Sequence, residues 1–112
     1  MNLGVIVYSN DPETMSRAFE LATYALKQGD KVSVSLLGKG VEVDKISKYE
    51  AHSSQAFKVA GEMQGFVDAG GKIFASGKCI ESRGIETPKL CTVSTMKDIY
   101  EMVKKSDKVV TF

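Results

Sequence analysis

Apolar positions along this chain follow two alternating rhythms. Leu3 to Tyr8 is a short apolar run rich in β-branched residues, the pattern of a strand buried on both faces. Asp11 then predicts a helix cap with Pro12 in the first turn, where a missing N–H costs nothing. Met15, Ala18, Phe19, Ala22 and Leu26 follow at helical spacing, and Gly29 stands where a left-handed residue ends a helix. Val32 to Leu37 predicts a second strand, stopped by Gly38-Lys-Gly40. Asp44 to Ser54 is polar and irregular and yields no clear period. From about Ser54, Ala56, Ala60, Met63 and Val67 make another helical stripe flanked by Phe57 and Phe66, and Gly70-Gly71 ends it. Lys72 to Ser76 predicts the third strand and Lys89 to Val93 the fourth. Thr95 and Asp98 form a capping box for a last helix with Met96, Ile99, Tyr100 and Val103 as its apolar face. Lys108 to Phe112 closes the chain as a fifth strand.

This alternation predicts an α/β fold: one three-layer α/β/α domain spanning residues 1–112, built on a mostly parallel five-stranded sheet. Right-handed crossovers place every strand-to-helix loop on the carboxyl edge of the sheet, where open α/β folds hold their sites. In chain order that edge carries Ser9-Asn10-Asp11, Gly38-Lys39-Gly40, Gly77-Lys78-Cys79 and Ser94-Thr95.

Composition narrows the partners. The 112 residues are enough for a core without disulfides or metal. A formal net charge of +1, with signs interleaved, gives no electrostatic case for nucleic acid or an anionic membrane. The first apolar run lacks a basic leader, and no run approaches the roughly 20 residues that span a bilayer. Two cysteines in such a chain lead to the expectation of reduced thiols in a cytoplasmic protein.

The edge loops hold few groups able to make bonds, and Cys79 stands out among them. It lies between Lys78 and Arg83, at or near the start of a short helix ended by Gly84. Cations and unpaired N–H groups there lower a thiol pKa from about 8.5 into a range of roughly 3.5 to 7.5. The same position also fits an inert, half-buried thiol in a turn, and charge context alone leaves both readings standing. Cys91, inside a strand, reads as a buried small residue, and a Cys79–Cys91 disulfide stays open. His52 reads as a surface histidine, and two cysteines with one histidine fall short of a metal set. Gly38-Lys39-Gly40 hints at phosphate binding but matches no phosphate-loop motif, and a chain-reversing turn explains both glycines. Ser9 and Asn10 are explained as the approach to a helix cap.

Three stretches together resemble the DsrE/DsrF-like family, which includes the small subunits of the DsrEFH and TusBCD sulfur-relay complexes. They are Ser9-Asn-Asp-Pro-Glu13 with the Ala-rich helix and Gly29, Val32 to Leu37 with Gly38-Lys-Gly-Val41, and Cys79 followed by Ser82-Arg-Gly-Ile85. The resemblance implies an α/β/α sandwich assembling into trimers or hexamers. It also implies a sulfur carrier or sulfurtransferase that holds sulfane sulfur as a persulfide and exchanges it with donor and acceptor proteins, without metal or organic cofactor. By position Cys79 matches the family's sulfur-accepting cysteine, and Arg83-Gly84 its Arg-Gly. In that role Lys78 and Arg83 would support the thiolate. Two other readings are a nucleotide- or small-molecule-binding module using Ser9, Asn10, Gly38, Lys39 and Gly40, and a non-catalytic oligomer subunit.

Overall fold

The structure, a computed structural model, describes residues 1–50 and 58–112. Its five strands are β1 (Asn2–Val7), β2 (Lys31–Leu36), β3 (Lys72–Ser76), β4 (Cys91–Ser94) and β5 (Lys108–Thr111). They form one all-parallel sheet in the order β4-β3-β2-β1-β5. The helices are α1 (Pro12–Lys27), α2 (Val43–Glu50), α3 (Val59–Asp68), α4 (Gly77–Arg83) and α5 (Met96–Lys105). A 3-10 turn over Gly38–Glu42 joins β2 to α2.

Strand alternation sorts the sheet into two unlike faces. On one face Leu3, Val5 and Val7 stand in register with Val32, Val34 and Leu36, and these lead on to Ile73 and Ala75. Met15, Ala18, Phe19 and Ala22 of α1 and Val59, Met63 and Phe66 of α3 bury that face. The Phe19 and Phe66 rings meet at 6.1 Å with a 58° tilt. Val43 and Ile46 of α2 and Ile80 of α4 join the same core. The opposite face carries small and polar side chains, with Gly4 beside Ser33, Ser35 beside Phe74, and Ser94 beside Ser76. Only α5, among the described helices, lies over it. The cause is topological: β1 to β4 step one way across the sheet, whereas β4 to β5 steps back over it. A right-handed connection must then pass on the other side. A Cβ at Gly4 would run into Met102 Sδ and Ser106 Oγ, so glycine there lets α5 lie close.

Several elements differ from the periodicity. The polar stretch from Asp44 is helical as far as Glu50, because Val43 and Ile46 supply a short buried stripe that its charged residues obscure. The predicted helix start around Ser54, with Ala56 and Phe57, lies outside the described residues, as does His52. Within α3 the inward positions are Val59, Met63 and Phe66, while Ala60 is exposed. The fourth strand begins two residues late, since Lys89 and Leu90 form a turn with Leu90 at φ 68°. The Thr95–Asp98 capping box is present in both directions. The stripe behind it, however, is mostly outward: Met96, Tyr100 and Val103 are 74%, 62% and 43% exposed, and Ile99 alone is buried. No described helix is long and apolar enough to cross a membrane.

Candidate functional site

The end of β3 makes the site. Ser76 has an extended backbone and caps α4, its Oγ accepting the Cys79 N–H at 3.4 Å. The helix therefore begins at Gly77, ahead of the expected start, and Cys79 is its third residue, still within the first turn. Lys78, next in sequence, points into solvent.

The second half comes from the end of β2. Leu37 donates its N–H to the Val7 carbonyl at 3.0 Å, and Gly40 donates to the Leu37 carbonyl at 2.9 Å. Between them Gly38 turns through φ 52°, a left-handed conformation that disfavours any side chain with a Cβ. The Tyr8 ring lies 3.3 Å from where that Cβ would stand. So turned, Gly38 donates its N–H to Cys79 Sγ at 3.3 Å. A tight turn 41 residues away thus delivers a backbone amide directly to the thiol.

Arg83 ties the two halves together. Its Nε donates to Glu42 Oε2 at 3.0 Å, and Nη1 donates to the Cys79 carbonyl at 3.3 Å and to Ser82 Oγ at 3.4 Å. The guanidinium therefore bridges the end of the 3-10 turn to α4 and reaches the backbone of Cys79, not its sulfur. Gly84 ends α4 in the left-handed region at φ 58°, so its part is to stop the helix.

These contacts favour the thiolate. The Ser76 hydroxyl holds the Cys79 pKa below the ordinary thiol value; partial burial opposes it, and the Gly38 N–H and then the Arg83 charge add to the lowering. Among the causes that lower it, two neutral hydrogen-bond donors lead, the expected Arg83 charge comes last, and Lys78 is not among them. Cys91 behaves oppositely. Burial, with a smaller contribution from the Asp44 carboxylate, pushes its thiol up to about 12. Both cysteines are free thiols. Cys91 pairs with Ile73 while Ser94 pairs with Ser76, so Cys91 sits about 10 Å down the strand from the site edge.

The remaining edge loops stay apart from the thiol. Ser9 Oγ accepts the Asp11 N–H at 2.9 Å, and Asp11 Oδ2 accepts from Thr14 N and Oγ1, both at 2.9 Å. Ser9 and Asn10 thus belong to the approach to α1, with β2 between them and β3. The Gly38 and Gly40 amides already have Cys79 and Leu37 as partners, which leaves neither to cradle a phosphate. Among the described residues no group of three or more His, Cys, Asp or Glu could hold a metal ion. Sequence reading passed over Ser76, Glu42 and Tyr8. Ser76 carried a usable signal, since a serine three residues before Cys79 has the spacing of a helix cap. Glu42 and Tyr8 carried none, because only the folded sheet brings them near.

Comparison with known proteins agrees with this architecture. The sequence model of the DsrE/DsrF-like family matches residues 1–112. An uncharacterised protein of Methanocaldococcus jannaschii, MJ0989, is 28% identical over 113 residues, covering 96% of each chain. Among solved structures, the ychN protein of E. coli superposes with a TM-score of 0.79 at 17% identity, over all of both chains. BT1422 of Bacteroides thetaiotaomicron, a conserved protein of unknown function, gives 0.74 at 18% identity, over 99% of this chain and 94% of its own.

Proposed function

Because the chain belongs to the DsrE/DsrF-like family and aims a backbone amide at an edge thiol, we propose that it carries sulfane sulfur as a persulfide on Cys79. The carrying observation is the Gly38 N–H on Cys79 Sγ at 3.3 Å, formed with the Ser76 hydroxyl beside it. The Cys79 thiolate attacks the outer sulfur of a donor persulfide. A new bond joins Cys79 Sγ to that sulfur, the donor's S–S bond breaks, and the donor leaves as a thiolate. In the second half an acceptor thiolate attacks the outer sulfur, and Cys79 leaves as the thiolate. No net oxidation occurs, and the two donors that lower the thiol pKa assist both attack and departure.

Sulfur donor and acceptor proteins, assembly into trimers or hexamers, and a reducing, cytoplasmic setting belong to the same proposal. The outward apolar side chains of α5 support an assembly, since a row of Met, Tyr and Val in water is typical of surfaces that become covered. Incubation with a small persulfide donor, followed by intact-mass measurement, is expected to show a gain of one sulfur. That gain should disappear on reduction and be absent from Cys79→Ser. A gain that survives in Cys79→Ser, or none in the unsubstituted protein, removes the proposal.

A further inference from the structure

A second chemical feature lies on the other face of the sheet. Beneath α5 is a cavity of about 210 Å³ lined by Ser33, Ser35, Phe74 and Ser94 from the sheet and by Ile99 and Met102 from the helix. Ser35 and Ser94 are 2% and 3% exposed, and each hydroxyl is buried with no hydrogen-bond partner. Leaving a buried hydroxyl unmatched is destabilising by roughly 1–3 kcal/mol, and nearly all buried polar groups in folded proteins are matched. Two such orphans lining one cavity are neither required by the sheet nor useful to packing, where alanine would serve better.

The cavity is far larger than the roughly 30 Å³ share of one water and below the roughly 300 Å³ of pockets for drug-sized ligands. Its walls combine two hydroxyls with an aromatic ring, a thioether and an aliphatic side chain. Charges at the rim are already engaged: Asp98 accepts from Thr95 N at 2.8 Å and Thr95 Oγ1 at 3.0 Å, and Glu101 meets Lys105 at 3.7 Å. The carboxylates outnumber the lysine, which disfavours an anion.

We infer that this cavity is a binding site for a small uncharged molecule with one hydroxyl or amide group on an apolar body, held by Ser35 and Ser94 and packed on Phe74 and Met102. It is separate from the Cys79 thiol and does not depend on sulfur transfer. The Ser76–Ser94 register places its upper end beside the strand position that caps α4.

Benzyl alcohol and benzamide serve as probes, with toluene and benzoate as apolar and anionic comparisons, in an amide-resolved NMR titration of the full chain. Saturable shifts of the Ser35, Phe74, Ser94 and Met102 amides are expected with the first two, and benzoate should give none. The double variant Ser35→Ala/Ser94→Ala should weaken binding of the hydroxyl and amide probes by at least about tenfold, from two lost hydrogen bonds, and leave toluene unaffected. The same variant should melt at a higher temperature than the unsubstituted chain, because it deletes two unmatched hydroxyls. That rise is what a binding role predicts and a structural role would reverse. Absence of saturable shifts, equal binding by the variant, or a lower melting temperature for the variant would each overturn the inference.

Discussion

Replacing Gly40 by alanine is expected to lower stability by roughly 2–3 kcal/mol, the upper end of what overpacking costs, and to raise the Cys79 pKa at the same time. A Cβ at Gly40 would collide with the Val7 carbonyl oxygen and carbon. Val7 is fully buried in β1, and its carbonyl already accepts the Leu37 N–H. The obstacle is backbone, so no rotamer relieves it. The 3-10 turn must instead move away from β1, carrying Gly38 and its N–H from Cys79 Sγ. Gly61→Ala provides the contrast: its Cβ meets nothing within 4 Å in α3, and alanine there should add about 0.5–1 kcal/mol. Denaturant unfolding with thiol alkylation across pH measures both effects. A Gly40→Ala protein as stable as its parent, or with an unchanged alkylation profile, would show that the turn does not hold the thiol.

The second large effect is alkaline. An unfolded Cys91 ionises near about 8.5, whereas the folded thiol is pushed up to about 12. Between those values the folded state keeps a proton that the unfolded state has lost, so stability falls as pH rises. The slope is about 1.4 kcal/mol per pH unit, and across the whole window Cys91 alone removes roughly 5 kcal/mol. Cys79 has the opposite sign: with its folded pKa depressed, it adds stability as pH rises towards its unfolded value and loses it as pH falls through the folded one. The alkaline loss is therefore assigned to Cys91, and Cys91→Ala should flatten that part of the stability curve relative to the parent. Matching slopes in parent and variant would refute the assignment. In the folded parent at pH 8, an alkylating reagent should modify Cys79 and leave Cys91 untouched until the chain unfolds.

How far the sequence exposed all this depended on which forces acted locally. The buried strands, the Asp11 and Thr95 caps and the order of elements were legible, because apolar runs and capping spacings act within a few residues. The helix from Val43 was hidden, since two buried residues, Val43 and Ile46, carry it among charged neighbours. The stripe Met96, Tyr100 and Val103 was visible but misleading: periodicity shows that a face is apolar, not that this chain buries it. At the site, adjacency in sequence overstated Lys78, which turns outwards on α4. Arg83 was rightly singled out as favouring the thiolate, but its tie to Glu42 was not legible, because that partner lies 41 residues away and becomes a neighbour only when β2 and β3 pair. The amide that touches the sulfur belongs to Gly38, whose glycines read as a turn or a phosphate loop. The unmatched serines of β2 and β4 looked like ordinary alternation, and only the cavity beneath α5 gives them meaning.

The central claim is that Ser76 and Gly38 hold the Cys79 pKa below that of an ordinary thiol and so favour its thiolate. The alkylation rate of Cys79 against pH, measured in a Cys91→Ala background, tests it most directly. The midpoint should lie below the value of about 8.5 for a free cysteine and move upwards in Ser76→Ala, which removes the leading hydrogen bond. A midpoint at or above that of a free peptide thiol would contradict the account.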